Sequence, residues 1–429
     1  MKKQAQAAVN DALASPELKK RLSFVALGLL IFSAGGHVPL PGINNDALQN
    51  LFNSGGVLGL LDLFSGGSLK RFSIFALGIM PYINASIMMQ VMTFCIPSLE
   101  EIQKERGVEG RVLIGKWTKY LTIFIAFIQS YSFLALFKSQ KILVREDFMH
   151  LFVIMITLVA GTAFLMWLGD EMTERGIGNG VSLLIFAGIV MSLPTAIAQQ
   201  IKIAQQNVSQ VGPFLLFGIF VLIMIGVIVF MQLAERRIPI RYSTRTVGQR
   251  VIGGQISYLP VRVDIAGVIP IIFAISALLI PQTIANFLPQ DHPFAISIGQ
   301  FLSNWGYYLT LGVLTFLFTF LYSSITFKPE DIAKNLKKAG GFIPGIRPGK
   351  QTEEYIQQIQ EKITFLGGLW LALIAVFPIL VANAAGVSSF AIGGTGLLIV
   401  VGVSLDTMRQ LEAHVVSRQY KGFMKSGVR

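Results

Sequence analysis

From Phe72 to Leu99 the chain carries no charged residue, and 28 consecutive uncharged, mostly apolar positions exceed the roughly 20 that a helix needs to cross a bilayer. Further charge-free runs fall at Leu22–Asn45, Tyr120–Phe137, Leu151–Gly169, Gly176–Ile201, Ile203–Ala234, Ile265–Gln290, Phe294–Phe327 and Ile363–Leu405. The last is twice as long as one crossing requires, and splitting it at Ala385–Ser389 gives ten spans. With 53% hydrophobic and 14% charged residues among 429, no soluble domain of this length is compatible. The chain is expected to be an all-α polytopic membrane protein.

Ten spans put both ends on one side, and the distribution of Lys and Arg says which. Alternate connections, with the two ends, hold 29 of the 35 basic residues and 18 of the 23 acids. That face carries +11 of the net +12 and is expected to be cytoplasmic. Five spans per half make the second half enter in the opposite sense to the first, the arithmetic of an inverted repeat. The halves are expected to be 1–201 and 202–429, with Lys202 at the turn between them. Before the first span some 21 residues are polar, unlike a cleaved signal peptide, so the first span is expected to serve as its own targeting element.

Between the first two long runs lies Val57–Phe64, closed by Gly66 and Gly67. It is too short to cross, so it either lies at the surface or re-enters the membrane, where irregular backbone survives only against protein or a water-filled cavity.

Two cytoplasmic connections are unlike simple linkers. Residues 235–264 hold six arginines, no lysine and β-favouring alternation around Gly253 and Gly254, the pattern of a basic hairpin. Residues 328–362 include KNLKKAGGFIPGIRPGK, where Pro344, Gly345, Pro348 and Gly349 stiffen the chain about Arg347. Anchoring to lipid needs only a few basic residues near span ends, not a projection of this size.

The spans offer little chemistry. His37 and His150 are isolated, the lone Cys95 has no partner for a disulfide or metal cluster, and GIGNG (Gly176–Gly180) follows no strand that would make it a nucleotide loop. WLGD, Trp167–Asp170, has Trp167 where the GxGD of intramembrane aspartyl proteases has glycine, and no second intramembrane aspartate completes a dyad. No enzyme and no cofactor are expected. Uncharged spans also disfavour the alternative reading, a secondary solute transporter of inverted-repeat architecture. Asn84, Gln90, Gln129, Gln282, Asn286 and Asn383 are the polar groups left, and most are expected to be satisfied between helices.

The patches FALGIMPYINASIMMQ (Phe75–Gln90) and FLMWLGDEMTERGIGNGVSLLIFAGIV (Phe164–Val190), followed in order by AGVIPIIFA, NLKKAGGFIPGIRPG and GGTGLLIVVGV, resemble the SecY family, the channel subunits of the bacterial Sec protein translocon. The resemblance covers essentially the whole chain. It implies a protein-conducting channel in the bacterial cytoplasmic membrane, an hourglass of two five-helix halves that opens across the membrane and sideways into lipid. Position by position, it implies a pore ring of Ile79, Ile83, Ile185, Ile189, Ile272 and Ile399. It implies a re-entrant plug at about 56–68, with Leu58, Leu60, Leu61, Leu63, Phe64, Gly66 and Gly67, and a lateral gate at Asn84, Gln90, Ser276 and Ile280. Asn84 departs from the small serine of bacterial relatives, so a stronger hydrogen bond across the gate is expected there. Arg241, Arg245, Arg250 and Arg347 are implied contacts for the SecA motor ATPase or for ribosomal RNA. SecE and SecG are the implied companion subunits, and signal sequences, unfolded precursors and lipid the implied occupants.

Overall fold

A computed structural model describes residues 16–44, 47–48, 62, 65–105, 107–206, 211–242, 245–247, 250–252, 256–287, 293–303, 305–386 and 394–426. Its helices are α1 (Pro16–Gly35), α2 (Met80–Cys95), α3 (Pro97–Glu105), α4 (Gly107–Ser139), α5 (Phe148–Arg175), α6 (Gly180–Gln206) and α7 (Val211–Leu233). After strands β1 (Glu235–Tyr242), β2 (Arg245–Val247), β3 (Arg250–Ile252) and β4 (Ile256–Arg262) come α8 (Ile269–Phe287), α9 (Pro293–Ser303), α10 (Trp305–Thr326), α11 (Pro329–Lys338), β5 (Gly341–Phe342), α12 (Lys350–Ala384) and α13 (Gly394–Ser426). Among the described residues six helices, α4, α5, α6, α7, α10 and α12, are by length and composition apolar enough to cross a membrane. The other four of the ten expected spans fall at α1, α2, α8 and α13.

The expected second span is the most altered. Helix begins only at Met80, so Phe72–Ile79 is irregular, with Phe72 and Gly78 at φ 43° and 57°. Pro81 fits the first turn, where its missing N–H has no intrahelical partner to lose. The helix ends where Ile96 goes extended ahead of Pro97. Sixteen residues at 1.5 Å each make about 24 Å, less than the hydrocarbon core. The irregular piece before it is sheltered by protein. Its amides bond to Leu69, Ser68, Val38, Ser73 and Phe75 carbonyls. α5 comes so close that a Cβ on Gly161 would stand 2.1 Å from the Ile74 carbonyl oxygen.

Three other expectations change or hold in detail. Lys202 lies inside α6, which continues to Gln206, because nothing in Lys202–Gln206 stops a helix. The run Phe294–Phe327 is not one span but α9 and α10, and α9 packs against both α8 and α10. The 43-residue run does divide where expected, with Ala385 capping α12 and Gly386 at φ 68°.

Helix contacts form two groups. α1, α2, α4, α5 and α6 touch one another in the first, and α7, α8, α10, α12 and α13 in the second. They meet along two lines: α6 against α7 and α13 on one side, α2 and α4 against α8 on the other. Polar groups tie helices within a group. Gln360 Nε2 donates to the Ser323 and Phe327 carbonyls (3.0 and 3.2 Å) and Ser323 Oγ lies 2.8 Å from Thr364 Oγ1, joining α10 to α12. Asn383 Nδ2 likewise donates to Tyr308 Oη at 2.6 Å.

The two basic connections form one body. β1 pairs antiparallel with β4 from Glu235↔Arg262 to Arg241↔Ile256, and β5 adds to its other edge. Ile238, Ile240, Val261, Leu336, Ile343 and Ile356 close a small core beneath. The hairpin was legible in 235–264; its union with 341–342 was not.

Candidate functional site

The six isoleucines gather from four helices. Ile79 caps α2 and Ile83 lies one turn on; Ile185 and Ile189 are one turn apart in α6; Ile272 sits in the first turn of α8 and Ile399 in α13. Five are buried, Ile189 to 0% and Ile399 to 1% exposure, and the half-buried Ile272 packs against the same apolar cluster. Lipid-facing side chains look different: Leu222 of α7 is 69% exposed.

Ile185, Ile272 and Ile399 also line a cavity of about 520 Å³. Its lining also takes in polar and charged groups from the α5–α6 turn, the end of α7, the entry to α8 and α13. Gln410 Oε1 accepts the Gly178 amide at 2.9 Å, tying α13 to the α5–α6 turn. Arg409 donates to the Gln232 carbonyl at 3.1 Å and faces Asp406 at 3.7 Å. Asp264 Oδ1 accepts the Gly267 amide at 2.7 Å. Burial pushes the Asp264 carboxyl up to about 6; the Gly267 amide opposes this, Asp406 adds to it and Arg262 opposes it. Sequence reasoning missed these groups, whose only signal was charge at the ends of two long apolar runs.

Of the expected plug, Leu58, Leu60, Leu61, Leu63 and Phe64 lie outside the described residues. Gly66 and Gly67, at φ 68° and 79°, form its described end. A Cβ on Gly66 would come 3.1 Å from the Gly188 Cα, between Ile185 and Ile189 on α6. Asp62 Oδ1 accepts the Lys70 amide at 2.7 Å and Arg71 donates to the Gly66 and Gly67 carbonyls (3.3 and 3.1 Å), which closes the turn on itself.

Along the α2/α4–α8 line the gate residues divide. Ser276 is buried, and neither its Oγ nor Asn84 Oδ1 has a hydrogen-bond partner among the described residues. The cross-gate hydrogen bond expected of Asn84 is thus not made through that oxygen to any described residue. Gln90 is exposed and donates to Ser86 Oγ on its own helix at 3.4 Å, and Ile280 is 50% exposed. Gln90 lines a second cleft, of about 340 Å³, between α2, α4 and the end of α10.

Arg241 is exposed on β1 between Ile256 and Phe342 partners. Arg245 and Arg250 lie on β2 and β3, opposite Ile252 and Val247. Arg347 is exposed, and its carbonyl accepts Thr352 Oγ1 at 2.9 Å, fixing the loop to the start of α12. Arg241 and Arg347 thus project from one rigid unit. Asp170 of WLGD pairs with Lys119 at 2.6 Å, and His37 Nδ1 bonds the Ser33 carbonyl at 2.8 Å; both are structural.

Comparison with known proteins places this arrangement. The SecY family model matches residues 73–408. The chain belongs to the SecY family. A curated SecY relative, the protein translocase subunit of Aquifex aeolicus (strain VF5), is 42% identical over 421 residues, 95% of this chain and 97% of its own. Among solved structures, a protein-conducting channel superimposes with a TM-score of 0.67 at 18% identity, covering 93% of each chain. Sec61 from a canine ribosome–channel complex superimposes with a TM-score of 0.63 at 17% identity and the same coverage. At such identities the structural likeness speaks for the SecY-type fold alone.

Proposed function

We propose that this SecY-family chain is a protein-conducting channel, passing unfolded secretory polypeptide across the bacterial cytoplasmic membrane and releasing apolar segments sideways into lipid. The supporting observation is that Ile79, Ile83, Ile185, Ile189, Ile272 and Ile399, from four helices, belong to one apolar cluster, and that Ile185, Ile272 and Ile399 line a cavity together with polar groups. An aliphatic constriction excludes ions by dewetting and offers none of them a binding site. It grips a threading chain by deformable apolar contact and therefore accepts every side chain.

On this reading the ten spans form two halves of five that divide after α6, past Gln206 and not at 201/202, hinged where α6 meets α7 and α13 and parting where α2 and α4 meet α8. The segment ending at Gly66–Gly67 is the plug, and Asn84, Gln90, Ser276 and Ile280 flank the lateral gate. Both termini and the Arg241/Arg347 body face the cytoplasm, where SecA or ribosomal RNA docks; an arginine cluster on phosphate makes the RNA contact salt-dependent. SecE and SecG complete the membrane assembly, and driving energy comes from the partners. Reconstitution with the motor and a secretory precursor tests this. Precursor protected inside vesicles is expected, whereas uptake of a small solute alone overturns the reading in favour of a transporter.

A further inference from the structure

We propose that Arg409 and Gln410 of α13 are positioning residues that bracket the hinge on the side where the chain leaves it open, and so hold Ile399 in the isoleucine cluster; this rests on the channel reading, with its hinge at α6 and α7. Residues 207–210 join the end of α6 to the start of α7. The opposite ends, Gly180 and Leu233, have no such connection. They lie a whole span away, along helices of 27 and 23 residues, about 40 and 35 Å at 1.5 Å each. Two neighbouring side chains of α13 reach both. Gln410 Oε1 accepts the Gly178 amide at 2.9 Å, just ahead of α6, and Arg409 Nη2 donates to the Gln232 carbonyl at 3.1 Å, in the last turn of α7.

Each anchor is itself fixed. Gly178 is buried in the GIGNG turn at φ 88°, a conformation that glycine adopts without a Cβ penalty. Arg21 of α1 donates to the Gly176 carbonyl at 3.2 Å, and Thr173 Oγ1 of α5 accepts the Gly180 amide at 2.8 Å. The turn therefore belongs to the first half. A buried amide requires an acceptor, and Gly178 draws its own from the second half. At the other anchor, a Cβ on Gly402 would stand 3.1 Å from Gln232 Nε2 and 2.6 Å from Val268 Cγ2, so α13 lies tight against α7 and the entry to α8 two turns before Arg409. Asp406, 3.7 Å from Arg409 Nη1, orients the guanidinium. Ile399 and Gln410 are separated by about three turns and share one face of α13, and between them Gly402, Val403, Asp406 and Thr407 line the same 520 Å³ cavity as Ile399. A rigid helix carries a turn at one end to the other. Rotation of α13 that parts Gln410 from Gly178 therefore swings Ile399 away from α6.

The test uses the full chain with its companion subunits in a Cys95→Ser background, spin-labelled at Glu174→Cys and Leu233→Cys, exposed positions at the ends of α5 and α7. Pulsed electron resonance reads the distance distribution between the labels, and planar bilayers read the resting ion conductance. Arg409→Met with Gln410→Leu is expected to broaden the distribution and to raise conductance severalfold. Arg409→Lys with Gln410→Glu keeps a donor and an acceptor and should restore both readouts, which general loss of packing would not do. Met408→Ala, on the exposed face of α13, should alter neither. An unchanged distribution in the Met/Leu double variant overturns the bracket, as does equal broadening by Met408→Ala. Broadening with wild-type conductance would uphold the bracket and count against the isoleucine cluster as the seal, so the two readings fail separately.

Discussion

Gly66 rests backbone against backbone on Gly188, the residue between Ile185 and Ile189 of α6. The turn that ends the short apolar segment is thus seated directly behind two members of the isoleucine cluster. Gly66→Val places a β-branched side chain at φ 68°, a conformation it resists, and into contact with Gly188. The turn is expected to lift and resting ion conductance in planar bilayers to rise severalfold; wild-type conductance would remove Gly66 from the seal.

Ile79 and Ile399 approach the cluster from α2 and α13 with 4% and 1% exposure. Ile79→Asn with Ile399→Asn introduces amides that draw water into an apolar waist. Resting ion leak is expected to increase by about an order of magnitude by loss of dewetting. Unchanged leak would mean that these side chains only pack the interior.

Asn84 Oδ1 is buried with no donor among the described residues; a buried acceptor left in that state costs about 1–3 kcal/mol, relieved if opening admits water. Asn84→Leu removes that strain and is expected to favour the closed seam. The lag before a signal sequence cross-links to lipid should lengthen about tenfold for each 1.4 kcal/mol gained; a shorter lag contradicts the assignment.

Arg347 stands exposed on a loop pinned by Thr352. Arg347→Glu changes a docking charge without touching the apolar interior. Motor-driven export is expected to fall by about tenfold or more, the scale of a lost charged contact, with membrane insertion and thermal midpoint unchanged. Normal export would exclude the residue from docking.

Asp264 titrates at about 6 against 3.8 in the free residue, so the folded chain binds the proton more tightly than the unfolded one. Stability contributed by this group is fully present below pH 3.8 and is lost as pH rises through 6. Asp264→Asn keeps an oxygen to accept the Gly267 amide and carries no charge. Its thermal midpoint in detergent is expected to exceed that of the wild type at pH 7.5 and to converge with it near pH 4; a constant difference would mean that charge burial is not the cause.

The sequence by itself determined the solvent of this protein. Charge-free runs long enough to cross, the break at Ala385–Ser389 and the concentration of Lys and Arg in alternate connections follow from the cost of burying charge and the length of a helix turn, which are local quantities. The family resemblance then named six isoleucines, of which only Ile79/Ile83 and Ile185/Ile189 share an i,i+4 spacing, itself common in lipid-facing helices. Only tertiary packing decided that Ile83, Ile189 and Ile399 point inward while Leu222 faces out, because facing is set by which helices become neighbours. The irregular entry to α2 at Phe72–Ile79 was also invisible, since beside its local turns it exchanges backbone hydrogen bonds with Val38 and Leu40, far from it in sequence, and packs closely on Gly161. The same holds for β5, two residues whose only reason to be a strand is the edge of β1, and for the Gly178–Gln410 contact across 232 positions. Periodicity reports how a segment meets its solvent; which segment serves as that solvent is a property of the folded chain.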